Sequence, residues 1–264
     1  MKHLQLTFIV LSFLLYACGS ETMPNERELP QAYSGNASAG AFPFETQALS
    51  RSTEGCRGDS ANCAVFKAAY PLIVSGSPAA QRINDSIRAA VRQAMAVFSA
   101  TPEEVPDSLE SIAEQFLQEY RIAQQEDPGV EMQWIDELEG EVLHQTDTTL
   151  SVQLKTYSFA GGAHPNTFVT LMVFDKRSGR KLSLEELVED MPRLRQLAEQ
   201  AFRETRDIPQ GESLDEAGFF WGEGFQLPED FAMARDGLLL HYNPYDVAPY
   251  VLGPTQFTIP YEKL

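Results

Sequence analysis

Histidine and cysteine are scarce in this chain of 264 residues, four of the first and three of the second. His144, His164 and His241 show no close ligand spacing, and no histidine lies near Cys56 or Cys63 to complete a zinc set, so no metal centre is expected. Positive charge is short as well. Twenty Lys and Arg stand against 38 Asp and Glu, a formal net charge of −18. A field of that sign disfavours nucleic acid and anionic membrane surfaces and attracts a basic partner. A phosphate-cradling glycine loop, a basic–aromatic stripe, a Gly-x-Ser-x-Gly elbow and an internal repeat are all missing. No cofactor is called for.

One apolar run stands out, at the N-terminus. Lys2 precedes Leu4–Leu15, which is too short for a permanent membrane span and has the make-up of a signal h-region. It ends in Leu15-Tyr16-Ala17-Cys18, which resembles a bacterial lipobox. Residues 1–18 are therefore expected to be a lipoprotein signal, with Cys18 carrying acyl chains such as palmitate as a membrane anchor. Ser20, in place of an aspartate, points to outer-membrane sorting in a Gram-negative host, facing periplasm or surface. Residues 19–55 are rich in Ser, Gly, Asn, Pro, Glu and Ala without periodicity and read as a flexible tether. Cys56 and Cys63, with six residues between them in an exported chain, read as a local disulfide.

Residues 56–264 read as one extracytoplasmic domain, with strand structure beginning at Cys63–Val74. Ser77-Pro78 opens a helix whose stripe runs Ile83, Ile87, Val91, Ala94, Phe98; Asp107 and Glu110 open a second. Trp134–His144 is a strand in which Gly140 suggests a bulge or a bend. Leu150, Val152 and Leu154 alternate with polar residues as in a half-buried strand, and Thr167–Phe174 follows as a more buried one. Between these two lies Tyr157–Asn166. Gly161 and Gly162 there can take positive φ, and Pro165 stops the ladder. Ser183 and Glu186 precede a helix over Pro192–Arg206, and short strands follow at Phe225–Ala234, Leu238–Tyr242 and Phe257–Pro260. The order gives an α+β fold, a central mainly antiparallel β-sheet with helices packed against it.

Chemistry has few places to reside. His164, at the tip of the central hairpin, is the one candidate general base, and it would need a nearby carboxylate. Tyr242, Tyr245 and Tyr250 could offer flat faces to a sugar or hydroxyls to a protein. Tyr157, Gly161, Gly162, His164 and Asn166 complete the candidate binding residues.

Two stretches, Tyr157-Ser-Phe-Ala-Gly-Gly-Ala-His164 and Gly237-Leu-Leu-Leu-His-Tyr-Asn-Pro-Tyr-Asp-Val-Ala-Pro-Tyr250, resemble the bacterial extracytoplasmic domain of unknown function 3298/4163 type. That family includes envelope lipoproteins, the outer part of a lysozyme-sensing anti-sigma factor, and the N-terminal part of a peptidoglycan deacetylase. The resemblance covers about Cys56 to Leu264. It implies an envelope module that binds or senses a wall component (peptidoglycan) or a basic, lysozyme-like protein. The alternative is a wall-associated hydrolase using His164 with a nearby carboxylate.

Overall fold

The computed structural model describes residues 41–56, 62–127 and 133–264. The signal segment with Cys18, and the expected tether as far as residue 40, lie outside the described residues. The chain forms a five-stranded sheet in the order β1-β2-β3-β4-β5 and a three-stranded sheet in the order β6-β7-β8. The fold is α+β, as the order of elements implies.

β1 (Phe44–Ser52) pairs antiparallel with β2 (Cys63–Ile73), from Phe44 opposite Ile73 to Ser52 opposite Val65. The tether reading of residues 19–55 is thereby corrected for this stretch, and ordered structure begins well before Cys63. Periodicity could not reveal β1. It is an exposed edge strand in which only Phe44 and Leu49 are partly buried, and backbone hydrogen bonds hold it rather than an apolar face. The Cys56–Cys63 disulfide is present where β2 begins, with Cα atoms 5.3 Å apart.

β2 pairs parallel with β3 (Gln133–Gln145), which demands a long crossover. α1 (Pro78–Met95) and α2 (Leu109–Glu126) supply it. In α1 the Ser77 hydroxyl accepts from Ala80 N and Pro78 takes the first helical position. Its buried face is Ile83, Ile87, Val91 and Met95; the helix ends there, so Phe98, expected on the stripe, lies in the following turn. The cap of α2 is Ser108, accepting from Ser111 N, rather than Asp107. Asn84 interrupts the apolar face of α1 for a reason. Its side chain accepts from Ile73 N at 2.8 Å and donates to Ile73 O at 3.0 Å, closing the end of β2.

β3, β4 (Thr149–Phe159) and β5 (Asn166–Asp175) form an antiparallel meander. The bulge in β3 falls between Val142 and His144, not at Gly140. Gly140 serves close approach instead: a Cβ there would stand 2.8 Å from Tyr70 Cβ and 2.9 Å from Leu154 Cδ2.

β4 is buried on both faces through its middle, so the half-buried reading fails for it. One face meets α1 and α2. The other is covered because α3 (Leu184–Leu187) and α4 (Met191–Thr205) lead into β6 (Asp230–Met233), β7 (Gly237–Tyr242) and β8 (Thr255–Pro260). β6 is shorter than the expected Phe225–Ala234. Val169 and Leu171 of β5 pack on Ala232 and Leu239, joining the sheets. Phe202 of α4 centres a cluster of Phe219, Phe220, Phe225, Tyr242 and Phe257 behind the second sheet.

Candidate functional site

The β4–β5 hairpin ends at the pair Ser158 and Asn166, and the loop beyond carries Gly161 at φ 87° and Gly162 at φ 98°, both in the left-handed region that favours glycine. This loop presents His164. Pro165 O lies 2.9 Å from its Nδ1, so Nδ1–H donates and Nε2 is left as acceptor. Tyr245 Oη sits 3.4 Å from Nε2. The imidazole lies flat on Tyr250, centroids 3.6 Å apart and planes at 14°. Tyr250 Oη donates to the same Pro165 O at 2.7 Å, and the Tyr245 and Tyr250 rings stand 5.7 Å apart. His164, Tyr245 and Tyr250 thus form one aromatic surface, with Tyr245 half exposed.

The segment after β7 is held rigidly enough to carry that surface. Asn243 N donates to Asp246 Oδ2 at 2.7 Å, and the turn it closes holds Tyr245 at φ 73°, a position costly for a tyrosine. Phe220 N donates to Val247 O at 2.7 Å. Arg206, from the end of α4, places its guanidinium on Leu252 O, Gly253 O and Pro254 O and on the Thr255 hydroxyl. Sequence reading missed Arg206, since a basic residue closing a helix is ordinary.

The other expected residues divide. Tyr242 does not belong to the surface: it is buried, donates its hydroxyl to Gln226 O at 2.5 Å, and burial pushes its pKa up. Its position in β7 points it into the core beneath α4. Tyr157 is exposed, paired with Thr167 and Glu137, on the sheet face opposite Ser158. Asn166 and His164 line a cavity of about 290 Å³ with Phe98, Thr156, Ser158 and Phe168. His144 and His241 do not join His164; His241 is buried between Gln256 and Asn243. Among the described residues no group of three or more His, Cys, Asp or Glu is arranged to hold a metal ion.

One group near the cavity was not singled out. Asp136 of β3 is the register partner of Ser158 and faces the helices between Trp134 and Leu138. It is fully buried, and neither carboxylate oxygen has a hydrogen-bond partner. Burial, aided by the Glu137 charge, pushes its pKa up to about 8. An acid at the apolar parity of Trp134-x-Asp136-x-Leu138 was the signal available.

The chain matches the family model "Protein of unknown function (DUF3298)" over residues 185–262 and the model "Deacetylase PdaC" over residues 58–167. Among curated proteins it is similar to the Immunogenic proteins MPB64 of Mycobacterium bovis and MPT64 of Mycobacterium tuberculosis. Each is 26% identical over 121 residues, covering 42% of this chain and 49% of the relative. The chain thus spans about half the length of the curated relatives it matches. Two solved structures share its fold. A DUF3298 family protein from Pseudomonas aeruginosa superposes with TM-score 0.63 at 22% identity, over 85% of this chain and 93% of that one. A DUF3298 family member from Bacteroides fragilis gives 0.62 at 20%, over 84% and 92%. One model matches the part with the helix crossover, the other the part with the second sheet, and both neighbours span the two, so these matches support the resemblance to the DUF3298 type and the fold is that of the two solved DUF3298 proteins.

Proposed function

We propose that this chain is a cell-envelope lipoprotein, anchored through Cys18, that binds or senses a wall component or a basic, lysozyme-like protein. The match to the deacetylase model supports a wall-related domain. The observation that carries the binding role is the state of His164. Its Nδ1 is committed to a backbone carbonyl, its Nε2 faces a tyrosine hydroxyl and its ring is covered by Tyr250, with no carboxylate among these contacts. A general base needs an open approach to substrate as well as an orienting hydrogen bond; the Pro165 carbonyl supplies the bond, but Tyr245 stands at Nε2 and Tyr250 covers one face of the ring. A stacked imidazole between two tyrosines offers instead a preformed contact surface of the kind that anchors interfaces. The net charge of −18 favours a cationic partner, with association that weakens as salt rises.

Titration of the chain with lysozyme at low and at physiological salt tests the protein-partner arm, and pull-down on purified peptidoglycan tests the wall arm. Saturable binding of either that is weakened by Tyr245→Ala supports the reading. Absence of both would overturn it, and peptidoglycan turnover that is lost in His164→Ala would replace it with the hydrolase.

A further inference from the structure

Asp136 poses a problem that the aromatic surface does not answer. A fully buried carboxyl with two unpartnered oxygens is costly, and such groups are normally hydrogen-bonded. It lies one side chain away from the cavity on two sides. Ser158, its register partner and a residue of the cavity wall, stands on the same face of the sheet, where paired Cβ atoms approach to about 5 Å. On the other side Trp134, two residues earlier on the same face, stacks on Phe98 of the wall with centroids 5.4 Å apart. Asp136 and Trp134 stand behind this wall rather than in it, and Phe98, which follows the end of α1 and is partly exposed, is the ring that would have to move for a ligand in the cavity to reach the carboxyl.

We propose that this cavity is a binding site for a small primary amine, whose ammonium group pairs with Asp136 beneath Ser158 and Phe98. An ammonium has three N–H donors, enough for both carboxylate oxygens and the Ser158 hydroxyl, whereas a sugar hydroxyl brings one. Phe98, in the cavity wall and stacked on the buried Trp134, provides aromatic surface that favours a cation. Among the described residues no Lys or Arg lines the cavity, and its volume of about 290 Å³ suits a single sugar ring or a short aliphatic chain. The charged and titratable groups nearby are Glu137, which faces the other side of the sheet and pairs with Lys67 at 2.9 Å, and His164 across the cavity. Because burial favours the protonated form of Asp136, pairing with an ammonium releases that proton to solvent: the carboxyl becomes carboxylate, and the ammonium keeps all three of its hydrogens. This site does not depend on the outer aromatic surface, although His164 borders both.

The test is calorimetric titration of the full chain at pH 7 with D-glucosamine and with D-glucose, which differ by amine against hydroxyl, in two buffers of different ionisation enthalpy. Saturable binding of glucosamine alone, with a net release of protons seen as a buffer-dependent heat, is the expected result. Asp136→Asn should weaken it about tenfold or more. Phe98→Ala, at a partly exposed position, should weaken it without unfolding the chain. Equal binding of the two sugars, no binding of glucosamine, or full affinity in a folded Asp136→Asn variant would overturn the proposal. Should Asp136→Asn fail to fold, the contrast between the two sugars on the unaltered chain decides alone. Failure of lysozyme or peptidoglycan binding would leave this result untouched.

Discussion

Asn243 grips Val169 as a neighbouring strand would, accepting from its N–H at 2.7 Å and donating to its carbonyl at 2.9 Å. β5 is the edge of the five-stranded sheet, and this amide, with Asp230 Oδ1 accepting from Leu171 N at 2.8 Å, closes that edge. The same two residues bond each other, Asn243 Nδ2 to Asp230 Oδ2 at 2.9 Å. Replacing Asn243 by Asp puts a second acceptor against the Val169 carbonyl and leaves it unpaired in a buried position. The expected cost is about 1–3 kcal/mol, read as a lower urea midpoint with unchanged slope. A variant as stable as the parent would show that water substitutes freely there.

Asp136 should make stability depend on pH in an unusual direction. Its pKa is raised from 3.8 in the unfolded chain to about 8 in the folded one, so the folded state holds a proton that the unfolded state has lost. Stability from this group therefore falls as pH rises from about 4 through about 8, by a few kcal/mol in all. Asp136→Asn removes the titration, and its urea midpoint should exceed that of the parent at pH 8 and converge with it near pH 4. Parallel profiles for the two proteins would mean that Asp136 ionises freely in the folded state.

Two kinds of glycine can be told apart by substitution. Gly162 sits at φ 98° with no atom within 4 Å of an added Cβ, so Gly162→Ala carries only a conformational cost, about 1 kcal/mol. Gly140→Ala forces a methyl group against Tyr70 and Leu154 and should cost about 1–3 kcal/mol. Melting curves that rank the two the other way would contradict both assignments.

The Cys56–Cys63 bridge closes a short loop, so its stabilisation should be modest, about 2 kcal/mol. Intact mass after alkylation without reductant should show neither thiol modified. Labelling of both would place the chain in its reduced form.

Most of the fold could be read because most of its elements bury one face at a regular period. Ile83, Ile87 and Val91 sit on the buried side of α1, and the hairpin around Gly161 and Gly162 lies where its glycines and proline put it. What escaped has common physical causes. β1 is held mainly by backbone pairing, with only Phe44 and Leu49 touching the core, and Arg206, Asn84 and Asn243 act by side-chain bonds to backbone that leave no periodic trace. Tyr242 looked like Tyr245 and Tyr250 in sequence, yet its parity in β7 sends it inward. Of the expected surface, His164, Tyr245 and Tyr250 come together because a crossing segment after β7 returns to the hairpin, a contact over 81 residues that no local pattern could disclose.

The start of the sheet sets an orientation. Phe42 is gripped by Gln145, its N–H bonded to Oε1 at 3.0 Å and its carbonyl to Nε2 at 3.4 Å, and Lys176 lies over its ring at 5.1 Å. The proposed anchor at Cys18 is 24 positions earlier, so the domain can stand off a membrane by no more than about 85 Å, against about 130 Å had the leash run to residue 55. Gln145 lies at the beginning of the β3–β4 turn, whereas the His164 loop follows the far end of β4, eleven residues or about 35 Å along the strand. The described chain enters the sheet at one end, and the aromatic surface crowns the other. A domain pulled toward the membrane by its N-terminus would hold His164, Tyr245 and Tyr250 outward, toward whatever approaches from the wall.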